Sequence, residues 1–128
     1  MLQPATPKPE AVVLTIPLRT VSGLNAREHW RARAKRVEAE RFAVRVAIVQ
    51  RFGVRIADAP KPPCVVKLTR IGPTNGLDPF DNLPSSLKGC VDEISNWLGV
   101  NDRKSDLVQY ECGQERGKEW AVRVEITA

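Results

Sequence analysis

LDPFDNLPSSLKGCVDEISNWLGVNDRKSD, residues 77–106, is the stretch from which the rest of the chain is read. Pro84 suits the first turn of a helix, where its missing N–H costs nothing. Leu87, Val91, Ile94 and Leu98 recur at helical spacing. Gly99 follows where a left-handed C′ residue belongs. The pattern predicts a helix over 84–98, with Lys88, Asp92 and Ser95 on a different face from the apolar stripe. Upstream, CVVKLTRI (64–71) alternates like a strand, with Val66 and Leu68 on one face and Lys67 and Thr69 on the other. The GPTNG that follows reads as a turn. Downstream, LVQYECGQ (107–114) and EWAVRVEIT (119–127) also alternate, and 114–118 is expected to close a hairpin between them.

Toward the N-terminus, AVVLTIPL (11–18) alternates Val12, Leu14 and Ile16 and meets Pro17, the pattern of a strand near a sheet edge. Ser22-Gly23 marks a turn, and Asn25 is a plausible N-cap for a long helix from about Ala26. Trp30, Ala34, Val37, Val44 and Ile48 form its apolar stripe, with Arg41 in the one gap and Gly53 at its end. Trp30 is expected in the core on this pattern. The element order is β-α-β-α-β-β. The fold class is α+β: one domain over 11–128 whose mixed β-sheet packs with two main helices, preceded by a flexible arm at 1–10.

The 128 residues suit a single core, and 42% hydrophobic with 27% charged residues is ordinary globular composition. No apolar run is long enough to span a bilayer, and MLQPATPKPE lacks the apolar core of a signal peptide, so a cytoplasmic protein is expected. Cys64, Cys90 and Cys112 are too few and too scattered for a disulfide framework, and one histidine leaves no zinc spacing. The net charge of +5 is unevenly spread. Residues 27–51 hold eight basic and three acidic side chains, whereas 78–119 hold nine acidic and five basic. That asymmetry points to a polyanion partner beside a site built from carboxylates.

Two readings of the acidic cluster stand at this level. Asp78 and Asp81 precede the second helix, Asp102 follows it, and Asn82, Lys88 and Asp92 lie between. Aspartates in such places commonly serve as caps and turn residues. An oxygen-rich, histidine-free set also suits a hard cation, Mg²⁺ or Mn²⁺, which binds phosphate oxygens and activates water, with a lysine steadying the charge. The first helix divides the same way. Its Arg27, Arg31, Arg33, Lys35, Arg36 and Arg45 make either a solvated face or a nucleic-acid grip.

GLNAREHWRARAKRVEAER (23–41) resembles the N-terminal signature of RusA-like Holliday-junction resolvases, with a Leu-Asn, a His-Trp and then a basic helix. LDPFDNL–SLKGCVDEISNWLGVNDRKSD resembles that family's central acidic motif, and WAVRVEI its closing strand. The resemblance implies a homodimeric, Mg²⁺-dependent endodeoxyribonuclease of DNA recombination and repair, of a kind frequent in prophages. Such an enzyme resolves four-way DNA junctions by paired nicks, with no membrane and no organic cofactor. By position it implies Asp78, Asp81 and Asp102 as catalytic metal ligands and Lys88 as the catalytic lysine. Asn82 and Asp92 would then be supporting residues. Three positions depart from the family pattern: two residues separate Asp78 from Asp81, Ser85 stands where the lysine is usual, and Asn101 replaces an acid. A DNA-binding module with impaired catalysis is the alternative that these departures leave.

Chain geometry adds a constraint. A straight helix from Pro84 to Leu98 is ~22 Å long, and residues 99–101 reach back only ~10 Å. Asp81 and Asp102 of one chain then do not share a metal. Either the helix breaks, for instance at Gly89, or a two-fold dimer brings Asp102 of one chain to Asp78 and Asp81 of the other.

Overall fold

The computed structural model describes residues 11–22, 29–54, 59–100 and 106–127. Strand β2 (Cys64–Gly72) leads through helix α2 (Asn82–Leu98) to strand β3 (Val108–Arg116), which lies parallel to β2. Parallel neighbours need such a crossover, and α2 supplies it. Strands β1 (Val12–Ile16) and β4 (Ala121–Thr127) complete a mixed sheet in the order β1-β4-β2-β3, and helix α1 (Trp30–Phe52) follows β1. The order β-α-β-α-β-β and the α+β class are as expected from the sequence.

β4 lies antiparallel to both β1 and β2, so the expected hairpin between 107–114 and 119–127 does not form. The burial of the two strands explains the placement. Val122, Val124 and Ile126 of β4 are buried, whereas of β3's nine residues only Val108 is. The strand with an apolar row takes the centre, and the strand rich in Gln and Glu takes the edge. β1 sits at the opposite edge, as Pro17 suggested.

One sheet face carries Leu14, Ile16, Val66, Leu68, Val124 and Ile126, which are opposite one another in register. These side chains join Val44 and Ile48 of α1 and Leu83, Leu87, Cys90 and Ile94 of α2 in one core. The termini of α2 agree with the sequence reading. Pro84 lies in its first turn, and Gly99 takes φ 72°, ψ 24° while donating its N–H to the Asn96 carbonyl. Val100 reaches back to the Ser95 carbonyl at 3.1 Å and closes the helix end. α2 is unbroken through Gly89, so its 17 residues span ~25 Å.

α1 departs from expectation at its start. It begins at Trp30, and His29 is the cap, its Nδ1 accepting the Arg31 N–H at 3.2 Å. Asn25 and Ala26 lie outside the described residues, as do residues 1–10. Trp30 is 67% exposed rather than in the core, and Ala34 is exposed too. The helical period runs on past the point where the body of the protein lies beneath it. The buried side of α1 is Glu40, Val44 and Ile48, with Val37 partly covered. Gly53 ends the helix at φ 80° with its N–H on the Val49 carbonyl.

Candidate functional site

α1 and α2 are joined by charges as well as by apolar contacts such as Phe52 with Trp97. Glu93 of α2 is 4% exposed and accepts Arg41 Nε at 3.0 Å and Arg45 Nε at 2.9 Å. Arg41 thus fills its gap in the apolar stripe by reaching across to the second helix. Burial pushes the Glu93 carboxyl upward, but the hydrogen bonds and charges of the two arginines outweigh it and hold the group below its usual range. The bond to Glu93 likewise raises the Arg45 guanidinium. Glu40, 3% exposed, pairs with Arg36 at 3.0 Å and faces Gly89, where a Cβ would come within 2.9 Å of its carboxylate. Gly89 lets the two helices approach at a charged contact. Neither buried glutamate was legible as such: Glu40 and Arg36 read as a solvated i,i+4 pair until α2 is known to cover them, and the partners of Glu93 lie on another helix.

The segment after β1 runs to the start of α2. Ser22 Oγ donates to Asn82 Oδ1 at 2.6 Å, and Arg36 donates to the Val21 carbonyl at 3.5 Å. Asn82 is thereby a tether between the 17–22 segment and α2. Further back, buried Arg70 donates to the carbonyl and hydroxyl of Thr20 and lies 4.8 Å from the centre of the Trp120 ring. Arg19 covers the same ring at 4.6 Å. Burial and the neighbouring Arg19 lower the Arg70 guanidinium from its ordinary value.

Asp78 and Asp81 flank the Pro79-Phe80 turn that opens α2. Asp78 Oδ2 accepts the Asp81 N–H at 2.9 Å, and the Asp78 carbonyl accepts the Leu83 N–H at 2.8 Å. Asp78 therefore serves the turn, as the capping reading supposed. Its other carboxylate oxygen takes no part in that bond. Asp81 takes the N-cap position with helical backbone angles, makes no side-chain cap and is exposed. Asp102 and Arg27 lie outside the described residues.

Lys88 stands between two clefts. One, of about 270 Å³, lies between the helices and is lined by Arg33, Arg36, Val37, Glu40, Ser85, Lys88, Gly89 and Asp92. The other, of about 620 Å³, is lined by Pro79, Pro84, Ser85, Lys88, Val91, Tyr110 and Cys112. Ser85 and Lys88 line both, so the turn that separates them in sequence leaves them on a common face. Lys88 Nζ lies 3.5 Å from Asp92 Oδ1, and its side chain is 72% exposed. The basic motif of α1 and the acid-lysine motif of α2 thus share a cleft through Arg33, Arg36, Lys88 and Asp92.

The predicted cationic side chains of α1 divide into two sets. Arg45 holds Glu93 across the helix–helix contact, and Arg36 holds Glu40 one turn along α1 itself. Arg31, Arg33 and Lys35 are exposed on the first turns, where Arg31 lies 5.1 Å from the Trp30 ring. His29 packs beside that ring at 5.6 Å.

No family model matches this chain, and no curated protein matches it either.

Among the described residues no three His, Cys, Asp or Glu side chains are grouped to hold a metal ion. The donors at the start of α2 are nonetheless of the right chemistry for a hard cation. Mg²⁺ keeps several waters and takes one or two carboxylates, with substrate phosphates completing its shell. The free oxygen of Asp78 and the uncapped carboxylate of Asp81 meet that description. Cys64 and Cys90 are buried, and burial raises all three thiols, Cys90 to about 12 with help from Glu40. None is a ready thiolate.

Proposed function

We propose that this chain is a Mg²⁺-dependent, structure-selective DNA endonuclease that cuts four-way junctions as a homodimer. The observation that carries the proposal is the cleft in which Arg33 and Arg36 of the basic helix meet Lys88 and Asp92 of the acid-lysine motif. The exposed basic residues on the first turns of α1 lead into that cleft, whose wall carries Lys88 together with Asp92. The resemblance to RusA-like resolvases in both motifs, in order, supports the same reading.

In this proposal Asp78, Asp81 and Asp102 hold the cation, which when bound activates water and polarises the scissile phosphate. Arg31, Arg33 and Lys35 grip the phosphate backbone, so affinity falls steeply with salt. Exposed Trp30 offers a face on which an unstacked base packs. Lys88 places its ammonium against the phosphate oxygens as their charge grows, and Asp92 orients that ammonium. Asn82 keeps the turn of Asp78 and Asp81 in register with Ser22. The intact α2 favours the shared-site arrangement over a broken helix: its ~25 Å separates the aspartates before it from the chain that leaves it.

The test is Mg²⁺-dependent cleavage of a synthetic four-way junction with linear duplex as control. Cleavage confined to the junction, lost in Lys88→Ala and Asp81→Asn, is expected. Mixing Asp81→Asn and Asp102→Asn chains is expected to restore part of the activity through hybrid dimers. No junction cleavage in Mg²⁺ or Mn²⁺ sinks the nuclease reading. A salt-dependent gel shift without cleavage instead favours the second reading, a nucleic-acid-binding module without catalysis. The bond from the Asp81 N–H to Asp78, which commits one carboxylate oxygen to the turn, gives that reading its support.

A further inference from the structure

β2 and β3 run parallel and end together, and the space beyond the carboxyl ends of parallel strands is where open α/β sheets bind ligands. In this register Arg70 lies opposite Gln114, and Gly72 opposite Arg116. By alternation these positions share the sheet face of Val66 and Leu68, just past the end of the core. They line a cavity of about 210 Å³ together with Thr74, Asn75 and Gly76 of the turn that leaves β2. The turn is pinned in place. Gln114 accepts the Leu77 N–H and donates to the Leu77 carbonyl, both at 2.8 Å, and a Cβ at Gly76 would collide with the Gln114 amide.

What the cavity lacks is negative charge. Arg70 is 7% exposed. Its Nε and Nη2 donate to Thr20, and its Nη1 makes no hydrogen bond among the described residues. Thr20 and the Trp120 ring leave its net charge uncompensated. Arg19, over the same ring, and Arg116, at the mouth, also have no carboxylate within ion-pair distance among the described residues. Glu115, the one acid of the lining, alternates onto the other sheet face and gives its carboxylate to Arg123. A guanidinium taken out of water without an anion is costly and rare.

We propose that this cavity is a phosphate site, in which Arg70 and Arg116 grip the oxyanion and Thr74 and Asn75 form its rim. Guanidinium forks match phosphate oxygens in pairs. With Arg19 behind them, three cations call for more than the single charge of a carboxylate, which selects phosphate, free or esterified. The cavity shares no lining residue with the two clefts beside Lys88, and the inference does not rest on the nuclease reading.

The test is a nitrogen-15 NMR titration of the full chain, without divalent metal, at ionic strength held constant with sodium chloride. Inorganic phosphate is expected to give saturable shifts at the Arg70 side chain and at the amides of Asn75, Gly76 and Arg116. Arg116 is exposed and makes no hydrogen bond, so Arg116→Gln is expected to stay folded and to raise the midpoint about tenfold, the loss of one charge-assisted bond. Thymidine 5′-monophosphate and a thymidine dinucleotide form the second arm. Tighter binding of the monoester assigns the site to free or terminal phosphate; equal or tighter binding of the diester assigns it to a nucleic-acid backbone. Either result supports a phosphate site. The proposal is overturned if none of the three ligands gives saturable shifts at these residues, or if Arg116→Gln leaves the midpoint where it was.

Discussion

Replacing Glu93 by Gln removes a charge from the contact between α1 and α2 while keeping the shape of the side chain. The magnitude follows from burial and bonding. A hydrogen bond to a charged group contributes ~1.5–3 kcal/mol, and Glu93 accepts two, but the Arg41 and Arg45 side chains are 38% and 57% exposed. Solvent screens that side of each pair, and the amide still accepts one bond, which leaves a loss of about 2 kcal/mol. For a domain of this size that corresponds to a fall in Tm of about 6–10 °C. The acid dependence gives an independent check. Because the folded carboxyl lies below its ordinary value, its stabilisation is complete above the unfolded pKa of ~4.3 and is lost as pH falls through the folded value. Differential scanning fluorimetry of wild type and Glu93→Gln from neutral pH to pH 3 is expected to show a wide Tm gap that narrows only in acid. A Tm unchanged at neutral pH, or a gap that stays constant into acid, refutes the charge-clamp account of how the helices are joined.

Three further outcomes follow from other parts of the molecule. Thr69 is buried and its hydroxyl has no hydrogen-bond partner among the described residues, so Thr69→Val is expected to raise stability by ~1 kcal/mol in urea unfolding. A Cβ at Gly72 would run into the Trp120 ring that Arg19 and Arg70 clasp; Gly72→Ala is therefore expected to cost ~1–3 kcal/mol and to alter the tryptophan emission. Removing Arg31, Arg33 and Lys35 together is expected to leave a folded protein by circular dichroism. It should lower the salt slope of junction binding by about 2–3, measured by fluorescence anisotropy at several salt concentrations.

What the sequence reveals is what local chemistry decides. Pro84 and Gly99 mark the ends of α2 because proline and glycine carry backbone preferences that no distant residue needs to supply. The strands were visible in their alternation, yet alternation reports which side a residue faces and not which strand lies beside it. That is why β4 could not be placed between β1 and β2 beforehand. Trp30 misled for a related reason, since periodicity records the angle of a side chain around the helix and not whether anything lies beneath it. Of the candidate site, the turn role of Asp78 was readable from the common use of Asp before a helix. The junction of Arg33 and Arg36 with Lys88 was not, because it depends on how α1 crosses α2. That crossing is set by Glu40, Glu93 and Gly89, which carry no pattern of their own.

The placement of β4 also governs when the molecule can exist at all. β1 touches the sheet only through β4, and more than a hundred residues separate their paired positions, Val12 with Ile126 and Ile16 with Val122. A nascent chain that has not yet delivered its 121–127 stretch holds β1 with nowhere to dock and β2 with one bare flank. A truncation before residue 121 therefore does not shave a margin from the sheet; it splits the sheet and strands its opening segment.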